Sequence, residues 1–192
     1  MKRLISQVSI LLLAIVLLGI GGCKQKEIMT AKQIPLEDFF KNPEKAGYQL
    51  SPDGKYYAFT APYMRRMNIF VQEIGKDSAI RLTSDTARSI MGYFWGNNNR
   101  ILFLKDTGGD ENFKLFGVNV DGSNLIGLTD FPKVRTEIID DLPEIEEYVI
   151  IGMNKRVPEV FDPYRLNINT GELTLLAENP GNIQSWITDH NG

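Results

Sequence analysis

The sequence holds several groups of residues whose types and spacing could do chemistry. Arg65-Arg66 sets two fork-shaped cations side by side, able to meet a carbonyl or carboxylate. The plainer reading is a solvated basic loop. Asp106, Asp110, Glu111 and Asn112 crowd oxygens onto a Gly-rich stretch that invites comparison with a calcium loop. Calcium takes roughly six to eight oxygen ligands, and this spacing does not match the EF-hand loop. A turn whose Asp and Asn bond their own backbone is therefore expected, with no metal and no cofactor. Glu144, Glu146 and Glu147 lie near Asp140-Asp141, but they flank a turn at Pro143 and read as solvated carboxylates. A serine nucleophile needs an adjacent base held by a third group. The chain has no Gly-x-Ser-x-Gly elbow, and its only histidine, His190, sits in a terminal turn. No catalytic residue is expected within these 192 positions.

Cys23, the only cysteine, belongs to a different chemistry. Lys2-Arg3, an apolar run from Val8 to Ile20 and the small pair Gly21-Gly22 precede it, the pattern of a secretory signal. The run is shorter than the roughly 20 apolar residues that span a bilayer. Ile20-Gly21-Gly22-Cys23 resembles the bacterial lipobox, which implies cleavage after residue 22 and a lipid anchor on the Cys23 thiol. Membrane contact through that anchor in the cell envelope follows. Lys24 is unlike the Asp that retains lipoproteins at the inner membrane, which favours the outer membrane. The formal net charge is −3, with signs interspersed, so no basic footprint for nucleic acid is present.

The elements that carry these groups repeat. Residues 24–35 are polar and aperiodic, a tether from 23 to 35, and Leu36–Phe40 could form one helical turn. The chain's 17 Gly, 9 Pro, 10 Phe and 7 Tyr suit short strands joined by tight turns beyond it. Ser51-Pro52-Asp53-Gly54 is a hairpin turn with a mechanism: Pro presets φ, Asp bonds the backbone and Gly accepts positive φ. Strand–turn patterns then recur over about 47–84, 89–130 and 136–178, and a further copy opens at 183–192. Leu82, Leu128 and Leu176 close the copies, 46 and 48 residues apart. Four strands at a period of roughly 40–50 residues is the mark of propeller blades. A β-sandwich, the rival, has no reason to repeat its turn chemistry at one period. The expectation is an all-β partial propeller over 36–192: three four-stranded blades and the start of a fourth, preceded by a signal peptide. Phe94, Trp95, Phe103 and Phe116 fall at strand positions expected to be buried between blades. Propellers close with about four to eight blades. These residues therefore read as the front of a longer polypeptide.

Ile34-Pro35-Leu36-Glu37-Asp38-Phe39-Phe40-Lys41-Asn42-Pro43-Glu44, leading into Tyr48-Gln49-Leu50-Ser51-Pro52-Asp53-Gly54-Lys55, resembles the start of the propeller in prolyl oligopeptidase-family serine peptidases. Dipeptidyl-peptidase and acylaminoacyl-peptidase-like bacterial members are the most similar. Leu104-Lys105-Asp106 with Gly109-Asp110-Glu111-Asn112 and Leu115-Phe116 resembles their second blade, and Trp186 to Gly192 their Trp-x-x-Asp turn. The resemblance implies a propeller that filters access to a Ser-Asp-His triad on an α/β-hydrolase domain outside this chain, with peptides as substrates. Arg65 and Arg66 then become candidate substrate contacts. The Ser-Pro-Asp-Gly turn is shared with TolB-like propellers, which keeps a non-enzymatic propeller that binds an envelope protein or peptide as the alternative. A three-blade protein that closes by oligomerising is a third.

Overall fold

The computed structural model describes residues 31–189. Cys23, the signal segment and His190 lie outside them. Two units are distinguished, ending and beginning at Phe40 and Lys41. In the first, α1 (Leu36–Phe40) forms a single turn with Glu37 and Asp38 at its start.

The second unit holds twelve strands in three antiparallel meanders. Sheet 1 is β1 (Ala46–Leu50), β2 (Tyr56–Tyr63), β3 (Arg66–Glu73) and β4 (Ala79–Arg81). Sheet 2 is β5 (Tyr93–Asn97), β6 (Arg100–Lys105), β7 (Lys114–Asn119) and β8 (Ile126–Gly127). Sheet 3 is β9 (Thr136–Asp140), β10 (Tyr148–Met153), β11 (Asp162–Asn167) and β12 (Leu173–Leu175). Strand order follows chain order in each. The first strand of sheet 3 thus starts two residues before the apolar run at Ile138 that announces it. Residues 176–189 form no strand.

Alternation along the central strands stacks the sheets. Ile101 and Phe103 join Ala58, Ile69, Val71 and Leu82 in a core between sheets 1 and 2. Leu102 and Leu104 point the other way, into a core with Val149, Ile151, Met153 and Leu166 of sheet 3. A period of two thus lets one strand serve two cores. Each fully buried aliphatic side chain here contributes roughly 1.5–3 kcal/mol. Phe103 is buried as expected, whereas Phe94, Trp95 and Phe116 are half-buried at the margins. Three stacked four-stranded meanders make the chain an all-β partial propeller.

The repeat is visible at the level of single hydrogen bonds. The Leu82 N–H donates to the Ile69 carbonyl, Leu128 to Leu115 and Leu176 to Pro163, each thirteen residues back. In the first two sheets the next residue is a threonine whose Oγ1 accepts the N–H of the third strand: Thr83 from Ile69, 2.9 Å, and Thr129 from Leu115, 2.8 Å. Sheets 1 and 3 share a second latch, in which Asn68 Oδ1 accepts the Asp85 N–H at 2.7 Å and Asp162 Oδ1 accepts the Asn179 N–H at 2.7 Å.

Candidate functional site

Antiparallel connections sort the chemistry-bearing residues onto two ends. The β2–β3, β6–β7 and β10–β11 connections share one end, here called upper, with the links β4–β5 and β8–β9. Hydrogen bonds from Ile90 N–H to the Met67 carbonyl and from Thr136 N–H to the Phe113 carbonyl tie neighbouring sheets there. The β1–β2, β5–β6 and β9–β10 turns share the lower end, where Asn97 Nδ2 donates to the Glu146 carbonyl, 3.1 Å.

Arg65 and Arg66 are upper. The hairpin is tighter than the loop the sequence suggested: Met64 and Arg65 are its two turn residues, at φ 46° and 67°, and Arg66 already begins β3. A two-residue turn with both φ positive matches the twist of the strands and normally takes Asn-Gly. Here two side-chain-bearing residues hold the left-handed conformation, a strain on the order of 1–3 kcal/mol each. Both arginines are exposed, and neither forms an ion pair among the described residues. Next to them, Arg81 lies over the Tyr63 ring at 3.7 Å.

The Asp106–Asn112 loop is also upper. Asp106 is buried, and its Oδ1 lies 3.1 Å from Arg88 Nε. Asp110 accepts the N–H groups of Thr107 and Asn112, both at 3.2 Å, and the Asn112 side-chain amide. The Asn112 amide, then the two backbone donors, hold its carboxyl below the usual carboxylate range against the opposing effect of burial. These are turn bonds of the kind that Asp and Asn make with their own backbone. No cluster of three or more His, Cys, Asp or Glu that could hold a metal occurs among the described residues. Between sheets 1 and 2, Lys105 pairs with Asp85, which also accepts the Ala87 and Arg88 N–H groups at 2.9 Å.

Glu144, Glu146 and Glu147 lie on the lower end, across the sheets from Arg65. Glu146 and Glu147 act there through their main-chain carbonyls, which accept Asn97 Nδ2 and the Ile168 N–H. Asp140 ends β9, accepting the Leu142 N–H at 2.9 Å and the Thr188 hydroxyl. The acidic groups of the Asp106–Asn112 loop and of Glu144–Glu147 therefore lie at opposite ends and do not converge.

Two features of this unit carry no sequence signal. Arg100, at the start of β6, is buried, with Nε 2.8 Å from the Ile168 carbonyl and Nη1 2.7 Å from Asn119 Oδ1. Burial lowers its pKa. On the upper end, a cavity of about 430 Å³ opens between sheets 2 and 3, lined by Met91, Phe94, Leu104, Phe113 and Ile138 with the strand start at Tyr93.

No protein-family model matches the chain. It is 35% identical over 158 residues to dipeptidyl aminopeptidase BIII of Pseudoxanthomonas mexicana, covering 81% of this chain and 23% of that protein. Dipeptidyl peptidase family member 6 of Caenorhabditis elegans is 30% identical over 155 residues, covering 76% and 21%. The chain thus spans less than a quarter of these relatives. Among solved structures, an oligogalacturonate lyase in complex with manganese superposes with a TM-score of 0.57 at 10% identity, over 83% of this chain and 47% of that one. At that identity the likeness concerns the fold alone.

Proposed function

We propose that this chain, a propeller region like that of the prolyl oligopeptidase-family peptidases, is the substrate-gating part of a serine peptidase that hydrolyses short peptides. The α/β-hydrolase residues that break the bond lie outside these 192 positions. One observation carries the reading: 35% identity over 158 residues with a dipeptidyl aminopeptidase of which this chain spans 23%. Gating is the role left to a unit that has walls and loops but no Gly-x-Ser-x-Gly elbow. The upper end supplies the groups for it. Arg65 and Arg66 stand exposed on a strained turn, and strained backbone collects where function retains it. Their guanidinium forks suit peptide carbonyls and carboxylates. A lipid on Cys23, carried by the tether 23–35, would hold this gate at the envelope membrane; the lipobox-like Ile20-Gly21-Gly22-Cys23 supports that reading.

Reading the frame past codon 192 tests the proposal. A continuation with a Gly-x-Ser-x-Gly elbow followed by Asp and His is expected. The protein that frame encodes should release aminomethylcoumarin from dipeptidyl substrates and lose this on serine-to-alanine substitution. A frame that ends once the propeller closes would overturn the enzyme and leave a TolB-like binding propeller in its place.

A further inference from the structure

The sheet 1–sheet 2 and sheet 2–sheet 3 junctions are built alike, with one exchange. Equivalent positions follow from register. Phe103 pairs with Tyr93 on one side and Phe116 on the other, while Ile151 pairs with Ile138 and Tyr164. Leu115 and Pro163, one residue before Phe116 and Tyr164, accept the repeated leucine hydrogen bond. Tyr93 and Ile138 are therefore the same position in successive sheets. At the first junction the Tyr93 ring is buried in the shared core and its hydroxyl donates to the Gly47 carbonyl of sheet 1. Gln49 closes the seam from the other side, donating Nε2 to the Tyr93 carbonyl at 2.8 Å. At the second junction Ile138 stands where a tyrosine would bridge. It packs on the core with Phe94 and Leu104 but has neither the length nor the hydroxyl to reach across. The cavity of about 430 Å³ is what remains.

We propose that this cavity is an apolar subsite that takes a bulky hydrophobic side chain of a bound peptide. Its volume lies in the range of small-ligand pockets, roughly 300–1,000 Å³. Its lining is almost wholly apolar, and Met91, 87% exposed at the mouth, is an adaptable thioether of the sort that accommodates varied side chains. Behind the Phe113 wall stands one oriented cation, Arg135, 5.9 Å from the centre of the Phe113 ring and ion-paired with Glu137 at 3.4 Å. An apolar floor beside a guanidinium suits a hydrophobic side chain whose neighbouring main-chain carbonyl faces that wall. The occupant is a peptide on the strength of the peptidase reading, on which this inference rests.

The test uses the full chain in detergent micelles, with the Met91 methyl carbon labelled for NMR. N-acetyl-Phe-Ala-amide and N-acetyl-Ala-Ala-amide are the probes. The phenylalanine peptide should shift the Met91 methyl saturably, at least tenfold more tightly than the alanine peptide. Ile138→Tyr, which rebuilds the first junction at the second, should weaken that binding tenfold or more without lowering the melting temperature. Ile138→Val should leave binding within twofold. Should Ile138→Tyr not fold, Met91→Asp alters only the exposed mouth and should weaken the phenylalanine peptide alike, read on the Ile138 methyl. Equal shifts from both peptides, no shift from either, or a folded Ile138→Tyr that binds like the parent would overturn the subsite. The outcomes separate from those of the enzyme reading. Methyl shifts in a chain whose frame carries no hydrolase keep the subsite and discard the enzyme. A hydrolase frame with no shift discards the subsite alone.

Discussion

The guanidinium of Arg100 lies directly over the Cα of Gly117, so close that a Cβ there would stand 2.6 Å from Nη2 and 2.8 Å from Nε. The pair joins two sheets, because Arg100 Nε donates to the Ile168 carbonyl at the end of sheet 3. Glycine is needed here for space: its φ is not in the left-handed region. Gly117→Ala should displace the guanidinium and break the bond to Ile168. Overpacking of this kind costs about 1–3 kcal/mol. Chemical denaturation of parent and variant checks it. An unchanged midpoint would mean that Arg100 finds an equivalent seat.

Thr83 and Thr129 occupy one position in two repeats, and each hydroxyl accepts a buried N–H at the start of the third strand's core segment. Valine keeps the shape and removes the acceptor. Thr83→Val and Thr129→Val should each destabilise by roughly 1–3 kcal/mol, the penalty for stranding a buried donor. Each hydroxyl makes a second buried bond: Thr83 donates to Asn68 Oδ1 at 2.9 Å, and Thr129 accepts from the Thr136 hydroxyl at 2.8 Å. Asn68 Oδ1 keeps the Asp85 N–H when Thr83 is lost, whereas Thr129→Val strands two donors and should be the worse of the two. Thermal melts of the single variants decide the order.

The same threonines mark how far the sequence could be read. The leucine spacing located the repeats because an apolar residue at a fixed period is a local signal. The Ser51–Gly54 turn was equally legible. Gly54 sits at φ 69°, Asp53 accepts the Lys55 N–H at 3.1 Å, and the Lys55 ammonium and Ser51 hydroxyl draw the Asp53 carboxyl down to about 2. The threonine's capping role was not legible, since only the register across fourteen residues makes its hydroxyl an acceptor. Arg100, the strand residue after three asparagines, carries no local sign of burial. Its burial depends on Gly117 and on a carbonyl 68 residues onward. Met64-Arg65 lacks the Asn-Gly mark of its turn type, which is why that hairpin read as a longer loop. The cavity beside Ile138 depends on comparing two registers. Local chemistry was visible in the sequence; what is missing from it is chemistry made by distant partners.

Cys23 makes the localisation testable with one substitution. Multiple acyl chains anchor a protein stably where a single chain binds marginally. The parent chain expressed in a bacterial host should partition into the detergent phase on phase separation, and its mass should exceed that of the peptide cleaved after residue 22. Cys23→Ala should move the protein to the aqueous phase. Detergent partition by the variant as complete as the parent's would remove the lipid anchor from the proposal.

Asp162 sets the acid limit of sheet 3. It is fully buried, with Oδ2 accepting Arg156 Nε at 2.9 Å and Oδ1 accepting Arg156 Nη2 at 2.9 Å and the Asn179 N–H at 2.7 Å. The Arg156 fork, chiefly, holds the carboxyl below its usual range, outweighing burial, which alone would raise it. A folded-state pKa below the unfolded value of about 3.9 means that the unfolded chain takes up the proton first as pH falls. The stabilisation is therefore fully present above about pH 5 and drains away as pH drops through the unfolded and then the folded pKa. Asp162→Asn should destabilise at pH 7 by about 2 kcal/mol, near the middle of the range for hydrogen bonds to charged groups, because Arg156 still reaches solvent when its partner is lost. The gap between parent and variant should hold steady from pH 7 to about pH 5 and narrow below it. Urea midpoints measured for both proteins across that range check the sign, and a gap that widens on acidification would show that the carboxyl is protonated in the folded protein.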